Sequence, residues 1–252
     1  MTTVTLRNLT EEDRERLHVW RNSPEVASYM YTDHHISRAE HNRWFDGLST
    51  DPRRRYWVIE TDGKPVGLAN LAEIDPSHSR CAWAYYLADP SVRGLGVGSF
   101  VEFWMIEHVF GAMGLNKLWC EVLISNEAVW RLHQTYGFQR EALLRQHVMK
   151  DGHYQDVVGL GLLAQDWPAL RPSLKARLEA KGYLVDHSRQ AYLMGPKGEP
   201  IALLPYDGSP EQIAAVQEVL RDIGAKHVPQ VLVFNKLDAM GPASLPLAAQ
   251  DV

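Results

Sequence analysis

Apolar side chains recur at two periods along the chain. Between residues 56 and 88 they come in short runs, YWVIE (56–60), VGLANL (66–71) and CAWAYYLA (81–88), and Asp62-Gly63 supplies the residue pair a tight hairpin needs. These runs predict three strands in an antiparallel meander. Upstream, Thr10-x-x-Asp13 and Ser37-x-x-Glu40 place a hydroxyl three residues ahead of a carboxylate, the spacing of helix N-termini, and predict two helices. In the second, about 38–48, His41, Trp44, Phe45 and Leu48 fall at i, i+3, i+4 and i+7, which puts the His41 imidazole on an apolar face at a core edge. Beyond 88 the pattern gives a helix over SFVEFWMIEHVFGAMG, a strand over LWCEVLIS (118–125) and a closing hairpin within 141–167 that turns at Asp151-Gly152.

Composition narrows the class. With 252 residues, 45% hydrophobic and 23% charged, the chain can bury a substantial core. A net charge of -5 provides no bulk positive field, so neither nucleic acid nor an anionic membrane surface is an expected partner. No apolar run approaches the roughly 20 residues that span a bilayer, and MTTVTLRNLTEEDRER lacks the apolar stretch of a signal peptide, so the expected location is cytoplasmic. Cys81 and Cys120 lie in strand-like apolar runs, too few for a disulfide framework or zinc cluster; both read as core residues and no metal site is expected. Residues 1–172 are rich in Trp and Arg, whereas 173–252 are richer in Pro and contain no Trp, which predicts a first domain over 1–172 and an appendage over 173–252, with the boundary near Trp167-Pro168 to Pro172.

Chemistry concentrates at Asp89-Pro-Ser-Val-Arg93-Gly94-Leu95-Gly96-Val97-Gly98-Ser99, between a strand and a helix. Glycines at 94, 96 and 98 leave successive amides unshielded, and a helix starting there aims its positive dipole end at the same place, an anion cradle suited to a pyrophosphate. The dinucleotide fingerprint needs a third glycine where Ser99 stands, and no G-x-x-x-x-G-K-[ST] occurs, so Rossmann and P-loop readings fail.

Arg93-x-x-Gly96-x-Gly98 resembles the Arg/Gln-x-x-Gly-x-Gly/Ala signature of the GNAT superfamily of N-acetyltransferases. In order after it, Asn126-Glu-Ala-Val-Trp-Arg-Leu132-His133-Gln-Thr-Tyr136-Gly137-Phe138 resembles the family's N-x-x-A-x-x-L-Y-x-x-x-G-F segment, with Val129 replacing the Ala. The closing hairpin is like that of the RimJ/RimL branch. HNRWF (41–45) and LHQTYGF (132–138) make the whole pattern, over about residues 1–170, most similar to the PseH (FlmH-like) group, which acetylates the 4-amino group of a UDP-linked dideoxy amino sugar on the route to pseudaminic acid.

The resemblance implies an α/β (α+β) fold with a mixed, mostly antiparallel sheet splayed between its fourth and fifth strands, 81–88 and 118–124 here. It implies acetyl-CoA as cosubstrate, with the amides of Leu87 and its neighbours on pantetheine, those of Arg93, Gly94, Leu95, Gly96, Val97, Gly98 and Ser99 on the pyrophosphate, and the Asn126 side chain along the cofactor's inner arm. Attack by an amine on a thioester needs a proton acceptor and a donor for the departing thiolate. Glu121, before Val122 as in the matching strand of ribosomal-protein acetyltransferases, is the expected base, set among Leu118, Trp119 and Cys120, where partial desolvation would raise a carboxylate's proton affinity. His133 stands where the family has a Tyr that donates the proton, and Tyr136 lies one helical turn on; either is a candidate acid. His41 is the candidate acceptor contact, and Arg53, Arg54 and Arg55 form a basic run that could meet phosphate. The acceptor is a small-molecule amine, a UDP-amino sugar first, with a protein N-terminus or an acetyl-CoA-binding module without turnover as alternatives. A homodimer is compatible with this reading.

In the appendage, 183–215 resembles the histidine-bearing hairpin of Sco/SenC copper chaperones, with His187 at the ligand position but no C-x-x-x-C pair, and 216–240 resembles the guanine-specificity end of HflX-type GTPases, with Asn235-Lys236-x-Asp238 but no phosphate loop. Without thiolates or a triphosphate cradle neither ligand is expected to bind.

Overall fold

The computed structural model describes residues 3–183, 185, 190–194 and 200–205. The chain divides into two compact units, Met1–Val185 and Asp186–Val252. The first is built on a seven-stranded sheet whose order is β1-β2-β3-β4-β5-β7-β6. Its strands are β1 (Val4–Asn8), β2 (Arg55–Thr61), β3 (Lys64–Asp75), β4 (Arg80–Leu87), β5 (Lys117–Leu123), β6 (Gln139–Lys150) and β7 (His153–Leu163). The helices are α1 (Asp13–Asn22), α2 (Pro24–Ala27), α3 (Arg38–Gly47), α4 (Val97–Glu107), α5 (Glu127–Thr135) and α6 (Trp167–Ala180).

Strands β1 to β4 form the expected antiparallel meander, with β1 added at its edge. Both hairpin turns owe their sharpness to paired positive φ angles, 50° and 75° at Asp62-Gly63 and 49° and 73° at Asp151-Gly152, which suit Asp-Gly and match the twist of the flanking strands. Side chains alternate across the sheet: Ile59 packs in the core beneath α4, while its neighbour Val58 packs with Leu17 of α1 and Leu68 on the opposite face.

Ser37 caps α3 as expected, its Oγ accepting from Glu40 N at 3.2 Å. At α1 the polarity of the box is reversed. The helix begins at Asp13, whose buried carboxylate accepts from Thr10 N at 2.9 Å and from both terminal nitrogens of Arg7 at 2.7 and 2.9 Å.

The domain boundary expected at 172 falls inside α6. Pro168 suits the first turn of a helix, and Pro172 leaves only the Pro168 carbonyl without its helical donor, so neither ends the helix. Leu174, Leu178, Tyr183 and Val185 are buried in the core of the first unit, which is why that unit extends to Val185. In the second unit β8 (Gln190–Met194) and β9 (Pro200–Pro205) pair antiparallel within the segment likened to a copper-chaperone hairpin. His187 and the segment 216–240 lie outside the described residues.

Candidate active site

β4 and β5 run parallel and pair at only three positions, Arg80↔Lys117, Cys81↔Leu118 and Ala82↔Trp119. Beyond them the strands part. Trp83–Leu87 stay paired to β3 on one edge and Cys120–Leu123 to β7 on the other, so the facing edges of β4 and β5 carry free main-chain donors and acceptors. An extended, amide-bearing molecule can add there as an extra strand, which is the chemistry of a pantetheine arm.

The mouth of this cleft leads to the glycine bend. Gly94 and Gly96 take φ angles of 78° and 98°, a left-handed conformation that favours glycine, and Gly96 is the N-cap of α4. The first main-chain bond of the helix runs from Phe100 N to Gly96 O at 3.0 Å, so the amides of the preceding turn point outward without helical acceptors. Arg93, Gly94 and Leu95 are exposed, and a Cβ built at Gly94 meets nothing within 4 Å, which leaves that side of the bend open to a ligand. The other side is braced: a Cβ at Gly96 would lie 3.1 Å from the Tyr183 ring, the Tyr183 hydroxyl donates to Leu95 O at 2.6 Å, and a Cβ at Gly98 would sit 2.7 Å from the Tyr85 hydroxyl. Open amides at a helix N-terminus next to a split sheet fit a diphosphate continued by an amide-bearing arm.

Glu121 is the fifth residue of β5, two past the last β4 pair, and projects to the face opposite α4. The expected surroundings of Leu118, Trp119 and Cys120 are corrected, because Leu118 and Cys120 point into the core on the other face. Glu121 is exposed and lines a groove of about 260 Å³ with Arg80, Lys117, Trp119, Glu141 and Leu144. Its strand partner is Gly159, where a Cβ would lie 3.1 Å from that of Ala142 on β6. The Tyr31 hydroxyl donates to Glu121 Oε2 at 2.9 Å; burial first, and this carboxylate second, hold the phenol above its ordinary pKa. Tyr31 belongs to the loop between α2 and α3, which is tied over the sheet by Lys150 Nζ donating to Ala27 O at 3.0 Å and by Asp151 N donating to Asp33 at 3.0 Å. Tyr31 carries no periodic or motif signal in the sequence and was legible only in space.

On α5, His133 is buried beneath the parting strands, with Trp83 and Phe138 ring centroids at 5.1 and 5.5 Å. Its Nδ1 lies 2.8 Å from Glu102 Oε1, a carboxylate on α4 that is fully buried. Burial, the largest single influence, opposes a charged ring, but Glu102 and Cys120 together outweigh it and lift the His133 pKa to about 10. The carboxylate beside the His133 ring is Glu102 of α4. A lone Glu amid SFVEFWMI was the signal that could have found it.

Tyr136 is not poised as an acid. It is wholly buried, its hydroxyl donates to Ser99 O at 2.7 Å, and burial first raises its pKa, so the phenol joins α5 to the first turn of α4. Asn126 is the N-cap residue of α5 and makes no side-chain cap bond there.

His41 is corrected as an acceptor contact. It is buried between α1 and α3, its Nε2 donates to Arg14 O at 2.7 Å, and burial keeps it below its ordinary pKa, so the ring serves packing. Arg53 and Arg54 pair with Asp51 ahead of β2, at the end of the sheet away from the glycine bend, and do not meet phosphate there.

A family model described as an acetyltransferase (GNAT) domain matches residues 3–139. The spermidine N(1)-acetyltransferase of Escherichia coli K12 is 25% identical over 166 residues, 66% of this chain and 89% of the relative. The acetyltransferase PseH of Campylobacter jejuni 81-176 is 27% identical over 138 residues, 54% of this chain and 84% of that protein. Among solved structures, the Vibrio cholerae spermidine N-acetyltransferase in complex with CoA and spermine superposes with a TM-score of 0.62 at 25% identity, covering 66% of this chain and 98% of the other. The copper-chaperone and GTPase resemblances of the appendage find no support in these comparisons. Among the described residues no helix is long and apolar enough to cross a membrane. The split sheet, the glycine bend and the family match agree: the chain belongs to the GNAT acetyltransferase family and is an acetyl-CoA-dependent N-acetyltransferase.

Proposed function

We propose that the chain acetylates a primary amine on a small cationic molecule of the polyamine type, and that the groove at Glu121 holds the acceptor. Acetyl-CoA, when bound, supplies the activated acetyl group as a thioester. The amides of Gly94 to Ser99 hold its diphosphate, the free edges of β4 and β5 receive its pantetheine arm, and Asn126 lies along it. From the opposite face Glu121 attracts the acceptor ammonium and takes the proton that the amine must lose before it attacks. His133, charged against Glu102, returns a proton to the departing sulfur.

One observation carries the choice of acceptor. Of the charged groups along the groove, Lys117 is paired with Glu141 at 2.7 Å and Arg80 approaches Asp75 at 4.0 Å, whereas Glu121 is bonded only to the neutral Tyr31 phenol. A groove with an unneutralised carboxylate and paired cations suits a cationic amine better than a sugar carrying a diphosphate. The UDP-4-amino sugar remains the second reading, supported by the 27% identity to PseH. Initial rates with acetyl-CoA and spermidine, a UDP-4-amino sugar and a short peptide test the choice. We expect kcat/KM to be greatest for spermidine by about 100-fold, a factor equal to one well-formed charged contact. A preference for the sugar nucleotide or the peptide overturns it.

A further inference from the structure

Helix α4 is buried along almost its whole length, and its apolar residues need no carboxylate among them. An ionised group there is costly unless a charged, hydrogen-bonded partner compensates. Glu102 has one such partner: Oε1 faces His133 Nδ1 at 2.8 Å, while Oε2 has no hydrogen-bond partner. The ring it meets belongs to the one position where this chain departs from the family's tyrosine. The His133 ring is also hydrogen-bonded to the thiol of Cys120, the first β5 residue beyond the last β4 pair, so it lies where the cleft opens and a thiol sulfur already meets it there.

We propose that Glu102 is a positioning residue for the acid step: it fixes the tautomer and ring plane of His133, so that Nε2 carries the proton handed to the departing CoA thiolate. Nε2 gives up the proton, an N–H bond breaks, an S–H bond forms and the ring is left neutral until solvent reprotonates it. A neutral imidazole with Nδ1 unbound could present either tautomer; the carboxylate removes that choice. The other titratable groups around the pair are Cys120 of β5, Tyr85 of β4, Tyr136 at the C-terminal end of α5 and Arg177 of α6. Tyr85 and Tyr136 are held above their ordinary pKa by burial first and remain neutral across the working range; burial also raises the Glu102 carboxyl, which the His133 ring opposes, and Glu102 and Cys120 are the groups that raise the ring.

This inference rests on the reading of His133 as the acid. Its test combines an NMR titration of the His133 ring in ligand-free protein with pH profiles of kcat and KM for the wild type, Glu102→Gln, Glu102→Asp and His133→Phe. We expect the wild-type ring to stay protonated to about pH 9, and in Glu102→Gln to lose its proton below about pH 6.5. With it kcat at neutral pH falls about 100-fold, KM for acetyl-CoA stays within about 3-fold, and Glu102→Asp recovers most of the loss. A wild-type ring that deprotonates near pH 6.5 overturns the inference, and this decides even where Glu102→Gln fails to fold. Full kcat in Glu102→Gln beside an impaired His133→Phe removes the role of Glu102 alone. Full kcat in His133→Phe removes the acid reading itself, and the inference with it.

Discussion

The Tyr31 hydroxyl and the Glu121 carboxylate, 90 residues apart in sequence, meet at 2.9 Å where β5 has parted from β4. The bond holds Oε2 and its donor is a neutral phenol, so the carboxylate is oriented without being neutralised. Replacing Glu121 by Gln removes the proton acceptor and keeps the shape. We expect Glu121→Gln to lower kcat by about 100-fold or more while the acetyl-CoA Kd stays within about 3-fold. Tyr31→Phe removes only the orienting bond, so its kcat should fall by about 10-fold or less. Steady-state rates beside calorimetric binding of acetyl-CoA distinguish the two effects, and equal losses in rate and binding for Glu121→Gln would refute its role as the base.

Gly96 tests the anion cradle. A side chain there is strained by the φ of 98° and its Cβ would press on the Tyr183 ring at 3.1 Å, whereas Gly94, at φ 78°, has open space around it. Both alanine variants should lose about 1–2 kcal/mol of stability from the backbone conformation. Gly94→Ala adds a methyl on the open, ligand-facing side, and Gly96→Ala displaces the brace behind the bend. Both should weaken acetyl-CoA binding by about 10-fold or more in calorimetry, and wild-type affinity in both would place the diphosphate elsewhere.

The strands and their turns were legible because short apolar runs bounded by Asp-Gly pairs admit few alternatives, and Gly96 and Gly98 were legible because a backbone site advertises itself by missing side chains. What the sequence could not show is direction across a sheet. Alternation says that Glu121 and Cys120 face opposite ways but not which faces the core, and that ambiguity put Glu121 in a desolvated pocket it does not occupy. His41 and Tyr136 follow the same physics in reverse: both match positions that suggested chemistry, yet burial commits their polar atoms to Arg14 O and Ser99 O. Tyr31 lies in an irregular loop, placed by Lys150 from far along the chain, and no local pattern encodes such a tether.

Tyr136→Phe separates the two acids suggested by sequence. The phenol donates to Ser99 O at 2.7 Å inside the core, so its loss leaves a buried carbonyl without that donor. We expect a stability loss of about 1–2 kcal/mol in urea unfolding and a kcat within about 3-fold of wild type. His133→Phe should show the converse, a large loss of kcat. A collapse of kcat in Tyr136→Phe, at unchanged folding, would return the acid role to the phenol.

Asp13 provides a pH prediction at a distance from the site. Burial raises its pKa, but hydrogen bonds from Arg7 and Thr10 outweigh this and lower it to about 2. A carboxyl whose folded pKa is depressed contributes stability that is present above the unfolded value, about 3.9, and lost as pH falls through the folded one. Asp13→Asn should therefore be about 2 kcal/mol less stable than wild type at neutral pH. That gap should be constant from pH 5 to 8 and should shrink as the pH falls from about 4 toward 2. A gap that stays constant to pH 2 would show that the carboxylate charge contributes nothing.

The end of the first unit is part of its core. Leu174, Leu178, Tyr183 and Val185 bury their side chains against the α4 side of the sheet, and the Tyr183 hydroxyl also holds Leu95 O in the glycine bend. Each buried side chain contributes about 1.5–3 kcal/mol, so together they amount to a sum comparable with the whole net stability of a domain, about 5–15 kcal/mol. A chain stopped at 172 loses all four, and with them about the last two turns of α6 and the brace on the bend. A chain stopped at 185 keeps them. We expect the shorter form to be unfolded or insoluble at 25 °C, and the longer form to unfold cooperatively and to bind acetyl-CoA within about 3-fold of the full chain. A folded, CoA-binding 1–172 fragment would contradict the place given to α6 in the core, and a 1–185 form without CoA affinity would show that residues 186–252 contribute to the cofactor site.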